Sequence, residues 1–164
     1  MPASMKFRIA ALCAALALAA QLAAQDRLAL ALAQYQHETD PVRKARILTK
    51  LGDDQVEEAK KQLKDGEDVA SLHTLEIYRD EVKETVAGLE AGGVDAEKKP
   101  GGFKELQISL RETVRRVDDL ILTLPVDKRP FFREVRNDLA NAQNELIDSL
   151  FPRKPNQNPK KANP

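Results

Sequence analysis

Sulfur is almost absent from this sequence. Its one cysteine, Cys13, lies inside an apolar N-terminal run, after Leu12 and only a few apolar residues, which does not fit lipid attachment. With that run removed no thiol remains. Disulfides, thiolate metal ligands, covalent haem attachment and a cysteine nucleophile are then all excluded, and stability has to come from packing alone. Tryptophan is missing and aromatic residues make up 4% of the chain. Runs of β-branched and aromatic residues in period-two alternation are also missing, so no strand is expected. A charge excess is missing too: 26 basic residues face 26 acidic ones.

What is present begins with a leader. Lys6 and Arg8 form a positive start, Ile9 to Ala20 an apolar stretch, and Leu22-Ala23-Ala24 a small-residue end before Gln25-Asp26. That three-part order predicts a cleavable secretory signal over residues 1–24, with Ala17-Leu18-Ala19 as a second cleavage match. A membrane anchor would need about 20 apolar residues, and Gln21, Gln25, Asp26 and Arg27 interrupt this run too early. The expected setting is therefore the periplasm or the extracellular space, with no transmembrane span after cleavage.

Cleavage would also unbalance the charge. The mature chain would hold 24 basic and 26 acidic residues, and four of the basic ones (Arg153, Lys154, Lys160 and Lys161) fall in a Pro- and Asn-rich tail over residues 152–164. The body between is then near −6. An acidic body argues against nucleic acid as a partner, because phosphate neutralisation needs clustered Lys and Arg. The tail has no apolar period, reads as disordered, and could make weak contact with anionic surfaces.

Between leader and tail the pattern is helical. A short helix is expected from Asp26 to about Glu38, with Leu28, Leu32 and Tyr35 on one stripe. Asp40 can cap a second helix with Pro41 in its first turn. Its stripe runs Val42, Ala45, Leu48, Val56, Ala59 and Leu63. Gly52 occupies the same stripe at a cost of about 1 kcal/mol against Ala, which predicts close approach of a neighbouring helix. Gly66 supplies a left-handed stop. A third helix places Val69, Leu72, Leu75, Tyr78, Val82, Val86 and Leu89 inward, and the short turn makes the two helices antiparallel neighbours. The segment from Gly92 to Gly102 has two Gly pairs, Pro100 and no periodicity. Beyond it a fourth helix buries Phe103, Leu106, Leu110, Val114, Val117, Ile121 and Leu124. A fifth, capped by Asp127, buries Phe132, Val135, Leu139, Ala142, Leu146 and Leu150. The expected fold is all-α: an antiparallel four-helix bundle of two helical hairpins plus a short N-terminal helix, spanning residues 25–151.

No catalytic, cofactor-binding or metal residue is expected in this frame. His37 and His73 are the only histidines. His73-x-x-Glu76 reverses the Glu-x-x-His of di-iron bundles and occurs once. Asp53-Asp54, Glu57-Glu58 and Asp118-Asp119 are adjacent pairs, which diverge by about 100° on a helix and do not face one cleft. Ser71, Ser109 and Ser149 lack a nucleophile turn and a base, and the Gly pairs lack the strand that a phosphate loop needs. Arg111, Arg115, Arg116, Arg133 and Arg136 are interleaved with acids and read as a solvated surface, braced by Glu57 with Lys61 and Glu112 with Arg116. The chain is therefore expected not to be an enzyme.

Asp40-Pro41-Val42-x-Lys44-Ala45-x-x-Leu48-x-x-Leu51, followed by Gln55-x-x-Glu58-Ala59-x-x-x-Leu63 and Tyr78, resembles helical domains of exported and membrane-anchored bacterial proteins whose function is unassigned. The resemblance covers Thr39 to about Leu89 and implies an extracytoplasmic helical module. The expected function is a protein-interaction or scaffold module of the cell envelope, with a protein partner. The alternative is a small-ligand binder or chaperone-like protein that uses a bundle groove.

Overall fold

The computed structural model describes residues 28–152. The leader expected over residues 1–24 and the basic tail from Arg153 onward lie outside them. The chain falls into two units, divided between Glu38 and Thr39. Helical residues 28–37, named α1 here, belong to the first. Four long helices make up the second: α2 (Pro41–Lys64), α3 (Asp68–Ala91), α4 (Phe103–Thr123) and α5 (Arg129–Leu150). Among the described residues there is no strand.

Local chemistry sets the helix ends. Asp40 Oδ1 accepts from the Arg43 N–H at 2.8 Å and Pro41 sits in the first turn of α2, as the sequence predicts. Gly66 takes φ +81° just past the end of α2, a backbone state that costs glycine little. At the start of α4 the Glu105 carboxylate accepts from the Gly102 N–H at 2.7 Å. Gly102 also has a positive φ, and a Cβ there would stand 3.1 Å from the Val42 Cα, so glycine is needed for contact as well as for conformation. One expected cap is corrected. The N-cap of α5 is Lys128 and its side chain makes no cap bond. Asp127 lies one residue too early to cap, while Pro130 supplies a helix-compatible φ in the first turn.

The helices pack as a bundle, α2 on α3 and α4 on α5, with α2 also on α4 and α3 also on α5. Ion pairs show that α2 and α4 run in the same direction, as do α3 and α5. Arg46 stands 3.6 Å from Glu105, and further along the same two helices Arg116 meets Asp53 at 2.9 Å and Glu57 at 2.7 Å. On the other flank Asp68 pairs with Lys128, and a few turns later Asp138 takes Lys83 at 2.7 Å. The surface pairs expected within single helices therefore form differently. Glu57 reaches across to Arg116, and Glu112 pairs with Arg115.

Every inward position read from the sequence for α4 and α5 is buried. In α2 and α3 the match is partial. Ala45, Leu48, Gly52, Val56, Ala59, Leu75, Tyr78, Val82, Val86 and Leu89 are buried, whereas Val42, Leu63 and Leu72 are half-buried. Val69 is the clear correction, being 83% exposed. It stands on the first turn of α3, level with the chain reversal that ends α2, so no α2 side chain remains to cover it.

Candidate functional site

Both tight turns lie at one end of the bundle, because α3 and α5 start where α2 and α4 finish. At that end the first turns of α3 and α5 enclose a groove of about 860 Å³. Val69, Ala70 and Leu72 form one wall, Phe131 and Phe132 the other, with Lys128, Asp68, Glu67 and His73 at the edges. Phe132 is buried in the core, while Phe131 is 58% exposed. Neighbouring helical residues diverge by about 100°, so an aromatic pair at these positions must send one ring inward and one out. Leu122 and Val126, at the end of α4 and in the turn after it, are exposed too. Charge marks the edges of the groove. Lys128 and Asp68 form an ion pair that raises the Lys128 ammonium above its ordinary range. The Nδ1 of His73 lies 3.9 Å from Glu76, with the imidazole largely in solvent. His37 is exposed at the end of α1. Among the described residues no group of His, Cys, Asp and Glu side chains is arranged to hold a metal ion, and no helix is long and apolar enough to cross a membrane.

A second, smaller cleft of about 390 Å³ opens between α2 and α4, lined by Thr49, Lys50, Asp53, Glu105, Ile108, Ser109 and Glu112. Its acids are already occupied: Asp53 by Arg116, Glu105 by Gly102 N–H and Arg46, and Glu112 by Arg115. That neutralises the cleft as a cation site. The acid doublets are likewise spread over solvated faces, and Asp118 is bound by the Arg136 guanidinium through two contacts of 2.9 and 3.0 Å.

Inside the bundle lies a band of polar side chains that hydrophobic periodicity passes over: Gln55, Ser71, Glu81, Thr85 and Thr113 are all buried. Gln55 Nε2 donates to Glu81 Oε2 at 3.0 Å, and the Thr85 hydroxyl donates to the Glu81 carbonyl at 2.8 Å. Tyr78 is fully buried, and burial pushes its phenol up to about 12 despite the nearby hydroxyls of Thr113 and Ser109. Its Oη makes no hydrogen bond, and neither do Gln55 Oε1 and Ser71 Oγ. Burial also raises the Glu81 carboxyl, with Glu84 and Asp80 adding to the shift and Gln55 and Lys44 opposing it.

This sets a sign for pH. A carboxyl whose folded pKa lies above its unfolded one is penalised when ionised, so its contribution to stability falls as pH rises through that window. Glu81→Gln keeps an acceptor for Gln55 and carries no charge. It is expected to melt above the wild type at neutral pH, with the gap closing as pH falls toward the ordinary carboxylate range. Melts at several pH values test this, and a gap independent of pH would show that the ionised carboxylate is not its source.

No protein-family model, curated protein or solved structure matches the chain.

Proposed function

We propose that this chain is an exported helical-bundle interaction module that takes an apolar segment of a partner protein into the groove between the first turns of α3 and α5. One observation carries the reading: Val69 and Phe131, two large apolar side chains, stand 83% and 58% exposed on a groove of about 860 Å³. Interaction sites draw their affinity from a few apolar anchors seated in a depression, and a protein gains nothing in stability by leaving such side chains in water. Export is supported by the order Lys6 and Arg8, apolar run, Leu22-Ala23-Ala24, and by the resemblance over Thr39 to Leu89. Sequencing of the exported product should find it starting near Gln25; a retained leader would refute cleavage. We further propose that the bundle is two antiparallel hairpins, and that the basic tail adds only weak, salt-sensitive contact with anionic surfaces.

The experiment is a comparison of wild type with Phe131→Ser and Val69→Ser. Both residues are exposed, so both variants should melt with the wild type. Both should lose at least half of the binding of a hydrophobic dye by the folded protein, and both should lose any envelope protein that the wild type retains. Dye and partner binding unchanged in both variants would refute the groove. The second reading, a small apolar ligand, is favoured by the size of the groove, which falls in the range of about 300–1,000 Å³ typical of such sites. It differs in its readout, since a ligand would raise the melting temperature of the isolated protein by mass action.

A further inference from the structure

We propose that Gln55 on α2 and Glu81 on α3 form a latch operated by a proton: once Glu81 is protonated, its O–H donates to Gln55 Oε1 while Gln55 Nε2 goes on donating to the other carboxyl oxygen. Two hydrogen bonds then join this pair where an ionised Glu81 allows one. The latch stands apart from the groove and gives the bundle a response to acid.

An orphaned atom carries the proposal. Gln55 and Glu81 are both buried, and Gln55 Nε2 donates to Glu81 Oε2 at 3.0 Å. Gln55 Oε1 has no hydrogen-bond partner among the described residues, and a buried acceptor without a donor is costly. An ionised carboxylate has no proton to offer it. Turning the carboxamide over does not help. Oε1 would then face a carboxylate oxygen, acceptor against acceptor, and Nε2 would give up its bond to Glu81. A carboxylic acid removes the conflict. Carboxamide and carboxyl each carry two polar atoms on one planar edge, so two such groups meeting edge to edge match donor to acceptor twice.

On balance the surroundings of Glu81 favour the protonated form. Burial is the main cause that raises its carboxyl above the ordinary range, and Glu84 and Asp80 on the same helix add to it. From α2 the Gln55 bond and Lys44 oppose them, and the Lys44 ammonium also bonds Glu84 at 2.5 Å. Tyr78, one turn before Glu81, is a neutral phenol pushed up to about 12. Helix α3 packs on α5 as well. Arg79 and Lys83, two residues either side of Glu81, project from roughly the opposite side of α3 and meet Asp138 there at 3.7 and 2.7 Å. The Glu81 carboxyl therefore contributes stability that is fully present below the ordinary glutamate range and lost as pH rises through its folded pKa. Gln55 lies one turn beyond Gly52 on α2, and Glu81 one turn beyond Tyr78 on α3. At that meeting of the two helices the Tyr78 ring leaves no room for a Cβ on Gly52. Proton uptake thus tightens α2 against α3 beside their close contact, and proton loss loosens them.

The test uses the full chain, with NMR of the Glu81 carboxyl and the Gln55 carboxamide and hydrogen exchange of the α2 and α3 amides. Across a pH titration the two side-chain signals should shift with one shared midpoint, above that of the exposed glutamates. After correction for intrinsic exchange rates, opening of α2 and α3 should become rarer by about threefold or more between about pH 8 and about pH 4.5. Glu81→Gln, whose carboxamide can make both bonds without a charge, should show the acid level of protection at both pH values. Glu81→Leu, which removes the charge together with both bonds, should stay below it. Gln55 signals that ignore the titration of Glu81 would overturn the latch. Equal protection in Glu81→Leu and Glu81→Gln would do the same, since relief of a buried charge would then account for the whole effect. A pH response that survives in Glu81→Gln would trace the effect to other groups and overturn it as well.

Discussion

Gly52→Ala is expected to destabilise the bundle by about 1–3 kcal/mol, the usual cost of forcing extra atoms into a packed core. At the size of this domain that is a fall of about 4–12 °C in melting temperature. Helix propensity alone predicts the opposite, because Ala is favoured over Gly by about 1 kcal/mol inside a helix. Sterics decide the sign. A Cβ at Gly52 would stand 2.6 Å from Cε2, Cζ and Oη of Tyr78. The Tyr78 side chain is fully buried, and a rigid ring with no free space cannot swing aside without moving α3. The clash therefore has to be relieved by separating the two helices. Tyr78→Phe would not help, since Cε2 and Cζ remain. Tyr78→Leu in the Gly52→Ala background should restore much of the loss, giving a coupling energy on the order of 0.5–3 kcal/mol in a double-mutant cycle. A Gly52→Ala protein that melts above the wild type would mean that the close approach is not required.

Leu139→Asp should abolish the cooperative thermal transition altogether. Leu139 lies in the middle of α5 and is completely buried. An ionised carboxylate placed there without a partner costs several kcal/mol, a large part of the roughly 5–15 kcal/mol that holds a domain of this kind together. Circular dichroism should show a broad, non-cooperative loss of helix. His73→Ala is the control. Its side chain is 72% exposed and only 3.9 Å contact with Glu76 ties it down, so its melt should overlay the wild type. A normal transition in Leu139→Asp would show that α5 presents a different face to the core.

Much of this was legible in the residues themselves. The stripes of α4 and α5 are unbroken apolar series at helical spacing, so periodicity alone identifies their inward faces. Asp40-Pro41 and Gly66 mark ends through backbone chemistry that needs no tertiary information. Gly52, a poor helix former on an apolar stripe, pointed to a close approach, and the Tyr78 ring is what approaches. The misses share a cause. Gln55, Ser71, Glu81, Thr85 and Thr113 are buried polar side chains, and a reading that sorts residues by polarity sends them outward. Gln55 lies four residues before Ala59 and Glu81 three after Tyr78, so spacing could have placed both inside. The groove was hidden by the same habit in reverse. Val69 continues the apolar stripe of α3, and only the position of the turn after α2 shows that nothing covers it. The Phe131-Phe132 doublet was the available clue, since both rings cannot face one core.

The same-direction seams, α2 along α4 and α3 along α5, also bear on how the chain folds. Arg116 meets Asp53 across 63 residues and Glu57 across 59, Lys128 meets Asp68 across 60, and Lys83 meets Asp138 across 55. These separations are nearly equal, as they must be when paired helices run in the same direction. In a meander the separations would spread from short to long, and contacts could close one after another from the turn outward. Here the first contact across the seam pays nearly the whole loop-closure entropy, which grows only with the logarithm of length, and it brings the others into register together. The contacts across the seams are therefore expected to form together rather than one after another, with residues 92–102 as the tether that keeps the two helix pairs within reach of each other.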